Sequence, residues 1–382
     1  MAALARVLVI SFSDLSSDPR VDRQIGALLA RHEVIAAGLA PPAHAGVEFV
    51  DIATPPLGPL SGGLGVTRLL AHRFTTAYWR HPKNREVLQR LRSVVPVDVV
   101  LANDLSALPI AVSLGPPVAL DAHEFAPEEF SDRLWWRTLI RSFVDWQCRR
   151  YLPEVVAMTT VGEAIADAYM RAYGVRPAVV TNAPPYVDLQ PSPVDEPIRI
   201  LHHAAAQPGR GLEEMLRSAD LLDERFIVDF MLTGGSSRFR DALLSRAKDN
   251  PRVRFPPPVP MHELVSTANA YDIGLYLLPP TNFNQRYALP NKFFEFIQAR
   301  LAVAIGPSPE MGGLVHRYRC GVVAENFTPE ALAAELNSLD ASQIATFKQA
   351  SHAAASELSA ERNAEVILDT IDRALAMPIG SA

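Results

Sequence analysis

Tyr287-Ala288-Leu289-Pro290-Asn291-Lys292-Phe293-Phe294-Glu295 is the centre of a longer stretch, Tyr271 to Val323, from which the fold class follows. Upstream, the apolar run Ile273-Gly274-Leu275-Tyr276-Leu277-Leu278 ends in Pro279-Pro280 and reads as a buried strand. Downstream, Lys292 to Ala299 is helix-forming, with apolar Phe293, Phe294, Phe296 and Ile297, Pro290 just ahead and Asn291 near the N-cap. A second apolar run, Leu301 to Ile305, stops at Gly306-Pro307. Strand, loop, helix and strand make a βαβ unit. Its loop lies at the carboxyl end of the first strand, where open parallel sheets bind ligands.

The loop carries chemistry because helix N-terminal amides, one Lys and one Glu fall together. Amides at the positive end of a helix favour a phosphate, and Lys292 adds a full charge. Glu295 suits a different group, since a carboxylate accepts hydrogen bonds from two sugar hydroxyls, as acidic residues do for a ribose. The same residues also read as a capped helix with Lys292 and Glu295 solvated. The residues by themselves leave both readings open.

Taken with Pro309-Glu310 and Gly321-Val322-Val323, the stretch resembles the donor-binding half of nucleotide-sugar glycosyltransferases with the GT-B fold. The resemblance is strongest to the retaining group called family 4, whose bacterial polysaccharide-type members have similar Leu-Pro-Asn-Lys loops. It implies an α/β chain of two Rossmann-like domains facing a cleft, with a C-terminal helix crossing back onto the first domain. A Glu-x7-Glu pattern brackets this loop in the family. The second Glu holds the nucleotide ribose and matches Glu295, and Leu289, Pro290 and Asn291 join it in the implied donor site. The first Glu contacts the donor sugar, but Tyr287 stands at that position. This departure leaves the sugar contact unassigned, with Tyr287 and Glu310 as residues facing the cleft.

Length and composition set the frame. A chain of 382 residues holds two domains, each large enough for its own core. Net charge of −6 gives no electrostatic case for nucleic acid. Cys148 and Cys320 fall in different expected domains, so no disulfide is expected and a reducing cytoplasm fits. Ala2 to Val7 leads into a strand without the pattern of a signal peptide, and no apolar run reaches the length of a membrane span. The expectation is a cytoplasmic protein. Two stretches rich in Arg and aromatics, Arg68 to Arg92 and Arg133 to Arg150, suit contact with the inner membrane surface, or else are solvated faces with aromatics in the core.

Along the chain, Val7 to Ser11 reads as a strand and Pro19 to Arg31 as a helix. The Gly-x-Gly-x-x-Gly of a dinucleotide site is absent between them. Asp18-Pro19-Arg20 resembles an opening seen in some family 4 enzymes, where this loop faces the cleft and Arg20 meets a donor phosphate or an anionic acceptor. A plain surface Arg is the competing reading. Asp121-Ala122-His123-Glu124 ends another strand. A His there can be a general base, a metal ligand or a satisfied core residue, and the absence of a second His or Cys at ligand spacing argues against zinc. The resemblance implies that His123 faces the donor sugar or acceptor.

Pro185 to Pro197 is proline-rich and aperiodic and reads as the linker. The expected domains are residues 1–185, a linker at 186–197, residues 198–358, and a C-terminal helix in 359–382 that packs back on the first domain. After a strand at Ile198 to His202, Gly209-Arg210-Gly211 opens a helix. The family places two cations here on the donor diphosphate. Arg210-Gly211 matches the second, and the first falls near Ala204-Ala205, so Lys292 has to supply it. Arg at a helix N-terminus holds a diphosphate bidentately without metal. Thr233-Gly234-Gly235 ends the next strand and lets a ligand approach the backbone, so Gly234 joins the donor set.

These readings converge on a hexosyltransferase that moves a sugar from a nucleotide-sugar donor to an acceptor hydroxyl of a glycan, a lipid-linked saccharide or a small molecule. The resemblance implies retention of configuration, with no cofactor and no metal. Arg210, Lys292 and His123 are the expected catalytic residues. A nucleotide-sugar epimerase and a non-catalytic sugar-binding scaffold are the alternatives. The first would need acid and base groups, for which only His123 and Glu310 offer themselves, and the second is suggested by Tyr287 and the missing cation.

Overall fold

The computed structural model describes residues 4–55 and 59–377, which form two compact α/β units. The first unit runs to Thr181 and includes Asn282–Asn284 and the segment from Asn363. The second comprises Asn182–Thr281 and Gln285–Arg362.

Among the described residues the first unit has a seven-stranded sheet, every pairing parallel. Its strands are β1 (Arg6–Ile10), β2 (Glu33–Gly38), β3 (Glu48–Asp51), β4 (Val99–Asn103), β5 (Val118–Ala122), β6 (Val155–Thr160) and β7 (Ala178–Val179). They lie in the order β3-β2-β1-β4-β5-β6-β7. A parallel sheet is covered on both faces, so its strands are continuous apolar runs whose alternate residues feed two cores. Leu8, Ile10, Val100 and Ala102 enter one core. Val7, Val9, Val99 and Leu101 enter the other, together with Ile367, Leu368, Ile371 and Ala374 of the helix Ala360–Leu375. Burying each large aliphatic side chain of this kind contributes roughly 1.5–3 kcal/mol.

The second unit has a six-stranded sheet in the order β10-β9-β8-β11-β12-β13, also wholly parallel. Its strands are β8 (Ile198–Ala206), β9 (Phe226–Gly235), β10 (Val253–Arg254), β11 (Ile273–Tyr276), β12 (Ala302–Ile305) and β13 (Gly321–Val323). This is the strand order of a Rossmann sheet, which reverses direction between β8 and β11. The decisive stretch forms the expected βαβ unit: β11, a short helix Phe283–Arg286, the helix Asn291–Gln298, and β12. Phe293, Phe294, Phe296 and Ile297 of that helix are fully buried, and Gly274 of β11 lets the Phe296 ring rest on the strand.

Some boundaries differ from the sequence reading. Strand β8 continues through Ala206, because its residues beyond His202 stay paired with Met231 to Gly235 of β9. Arg68 to Arg92 is divided among the helices Pro59–Leu70, Phe74–Trp79 and Pro82–Leu91, with Pro82 opening the last.

The stretch expected as a linker, 186–197, lies inside the second unit. Fully buried Arg300 donates to the carbonyls of Val187 at 2.6 Å and Leu189 at 3.2 Å. Asn269 donates to the Gln190 carbonyl at 3.0 Å, and buried Lys348 donates to Ser192 Oγ at 2.8 Å. A chain without periodicity thus finds side-chain partners for its backbone, which composition does not reveal.

Candidate functional site

In the second unit the residues of interest gather at the carboxyl ends of β8 and β11, the two strands at the reversal of sheet order. Ligands of open α/β sheets bind at this place. After β8, Gly209 and Gly211 take φ of +76° and +73°, and Gly211 caps the helix Leu212–Asp220. A Cβ on Gly211 would lie 2.0 Å from the Leu277 carbonyl oxygen, so only glycine lets this loop lie against the end of β11. Arg210, between the two glycines, is exposed. Its guanidinium donates to Gln207 Oε1 at 3.5 Å.

Pro290 caps the helix Asn291–Gln298, and Asn291 is its first residue, next to the cap as expected. Lys292 follows, with its ammonium 5.1 Å from the centre of the Tyr276 ring. Burial and then the charge of Arg210 push its pKa down to about 8, against the pull of Glu295. Two cations and one carboxylate therefore act on one another here, with the cations in excess. Such a site is set for an anion.

Glu295 is 8% exposed. His203 of β8 lies with Nε2 3.2 Å from Glu295 Oε2, and its ring meets Phe296 edge-on. Burial, then the Lys292 charge, lowers the His203 pKa to about 3, so the ring beside Glu295 is neutral. The sequence reading passed over His203 as part of a loop. Leu289 is buried, and its carbonyl accepts from Asn182 Nδ2 at 2.9 Å. Gly234 is exposed near the end of β9, whereas its neighbour Gly235 packs against the Ala206 carbonyl. Tyr287 lies against the Arg286 guanidinium, and Glu310 is half-buried in the first turn of the helix Pro309–Tyr318.

In the first unit His123 follows β5. Its Nε2 lies 3.2 Å from Asp121 Oδ2 and its Nδ1 lies 3.3 Å from Asp104 Oδ2. Burial disfavours the imidazolium, but the two carboxylates outweigh it and raise the His123 pKa. Asp121 is fully buried and held from three sides. Arg20 donates to both its oxygens at 2.6 Å, Gln24 at 2.5 Å and Thr159 at 2.6 Å. Burial opposes that charge, yet Arg20 and His123 prevail and hold the carboxyl well below the usual range.

Arg20 is accordingly no surface residue. It is 6% exposed, with its Nη1 donating to the Val180 carbonyl at 2.7 Å. Asp18 caps the helix Pro19–Leu29 by accepting from the amides of Arg20 and Val21, which sets the side chain's direction. The sequence singled out Arg20 and His123 separately; Asp121, which joins them, was not assigned a role. A cavity of about 400 Å³ opens beside His123, lined also by Asp104, Glu124 and Glu129. Among the described residues, no group of three His, Cys, Asp or Glu could hold a metal ion.

No family model matches the sequence, and no curated protein matches it. Solved structures do resemble it. HepE of Anabaena in complex with UDP-glucose aligns at a TM-score of 0.71 and 15% identity, over 96% of this chain and 99% of that one. The α,α-trehalose-phosphate synthase (UDP-forming) of Burkholderia vietnamiensis aligns at 0.68 and 12%, over 96% and 100%. WaaG, a glycosyltransferase involved in lipopolysaccharide biosynthesis, aligns at 0.62 and 13%, over 94% and 99%. At such identities the likeness concerns the fold. The chain has the α/β fold with two Rossmann-like units of these GT-B proteins.

Proposed function

We propose that this chain is a glycosyltransferase whose second unit binds a nucleotide-sugar and whose product is a glycosylated hydroxyl. The observation that carries the reading is the group Arg210, Lys292 and Glu295 at the reversal of the second sheet, two cations beside a buried carboxylate. The cations suit a diphosphate and the carboxylate suits the ribose diol. Solved structures of the same fold that hold UDP or UDP-glucose support the assignment.

Transfer proceeds with retention in this reading, by attack on the face that the diphosphate leaves. Arg210, Lys292 and the helix amides stabilise the charge growing on the departing diphosphate, so no metal is needed. His123, held by Asp104 and Asp121, orients the sugar or the incoming hydroxyl. Leu289, Pro290, Asn291, Gly211 and Gly234 belong to the donor side, Tyr287 and Glu310 to the sugar side. The exposed Leu134 and Trp135 between Arg133 and Arg137 extend the reading to peripheral contact with an anionic membrane surface on the cytoplasmic side.

The deciding experiment is calorimetric titration with UDP, GDP, dTDP, ADP and CMP, with and without EDTA, followed by turnover of the matching nucleotide-sugars. Binding of one nucleotide that survives EDTA, and release of that nucleotide with an acceptor present, supports the proposal. Absence of any nucleotide binding overturns it. Tyr287 in place of a carboxylate favours a second reading, a sugar-nucleotide-binding protein without transfer. Tight donor binding with no turnover across an acceptor panel would select that reading.

A further inference from the structure

The first unit contains more than the His123 site. The cavity of about 400 Å³ beside His123 adjoins a second of about 300 Å³, and Ser106 and Gln147 line both. Both volumes lie in the range of small-molecule sites. Gln147 is 4% exposed. Among the described residues its amide has no hydrogen-bond partner, although a buried amide normally finds one. It stands where the cavities meet.

The two ends are opposite in character. Asp104, Glu124 and Glu129 are spread around the first cavity, with the His123 ring among them. They do not converge as a metal site would. Carboxylates spread in this way, mixed with the donors of His123, Ser106 and Gln147, match several hydroxyl groups better than one point charge. The second cavity is lined largely by apolar groups, among them Phe12, Leu69 and Phe143, and holds one ammonium, that of Lys83. Lys83 lies 4.1 Å from the Phe12 ring centre and has no carboxylate partner among the described residues. Burial lowers its pKa, as expected of a partly desolvated cation that lacks a counter-charge.

We infer that the two cavities form one bipartite site for a hydroxyl-rich molecule carrying a single anionic group, its hydroxyls toward Asp104, Glu124 and Glu129 and its anion at Lys83. Gln147 bridges the halves. The inference rests on the transferase reading in one respect: it makes this molecule the acceptor, with a hydroxyl presented to His123. A phosphate monoester of a sugar or cyclitol has this chemistry.

The test is calorimetry on the full chain with glucose, mannose and myo-inositol, each beside its phosphate monoester, and separately with UDP. At least one ester is expected to bind tenfold or more tightly than its parent. Lys83→Met is expected to erase that advantage and leave the parent's affinity unchanged, and Gln147→Leu to weaken parent and ester alike. Esters that bind no better than their parents, or an advantage that persists in Lys83→Met, overturn the inference. UDP separates the two claims. If UDP binds and the esters do not, the bipartite site falls and the transferase reading stands; if the esters bind and UDP does not, the reverse holds.

Discussion

At the residue scale, Glu295 is the side chain on which the donor assignment turns. Its carboxylate is buried beside a neutral His203 and within the field of Lys292, at the place where the ribose is proposed to bind. Glu295→Ala is expected to weaken binding of the recognised nucleotide at least tenfold, about 1.4 kcal/mol, in a calorimetric titration. Lys292 gives this site a pH dependence. A diphosphate favours the ammonium form, and the free protein loses that proton above about pH 8. Nucleotide affinity is therefore expected to fall as the pH rises through about 8, by at most about tenfold per unit, a trend that Lys292→Met removes.

Asp121 illustrates the opposite case, a charge that sequence cannot place. Arg20, a hundred positions away, neutralises it in a buried pair. Asp121→Asn leaves the Arg20 charge without its counter-ion and is expected to cost about 3–5 kcal/mol, measured by urea unfolding. The double change Asp121→Asn with Arg20→Met restores part of that loss while His123 loses its orienting carboxylate. A transfer assay on the double variant thus separates folding from positioning.

At the element scale, the turn between β8 and its helix is the feature least tolerant of change. Gly211 combines φ of +73° with a carbonyl 2.0 Å from where a Cβ would sit. Gly211→Ala is expected to shift the loop and to destabilise the second unit by at least about 1–3 kcal/mol, read as a lower melting temperature. Displacing the loop moves Arg210 with it, so turnover falls further than stability. The helix Asn291–Gln298 was legible because its phenylalanines follow a proline and precede a β-run. Its start was legible too, with Pro290 at the cap just ahead of the helix and Asn291 beside it.

At the scale of the whole molecule, each unit has its own core, and the last helix belongs to the first. Ile367, Leu368, Ile371 and Ala374 cover Val7, Val9 and Val99. Ile371→Ala is expected to cost about 2–5 kcal/mol, with the loss confined to the first unit. Hydrogen exchange resolved by segment checks this: protection falls in β1 and β4 and is unchanged in β8 and β11.

The alternation of strands and helices, hence the parallel α/β class, was legible in the sequence because buried strands and amphipathic helices write their period locally. The sequence also marked Arg210, Lys292, Glu295 and His123, each beside a strand end or helix start. Tertiary structure alone decided the partners of those residues. His203 with Glu295, Asp121 with Arg20, and Gln147 between two cavities depend on which strands lie side by side and on which backbone crosses above them. The proline-rich stretch 186–197 became part of the second unit for the same reason, because Arg300 and Lys348 reach it from distant elements. Periodicity reports what one element buries. Only packing reports what that element meets.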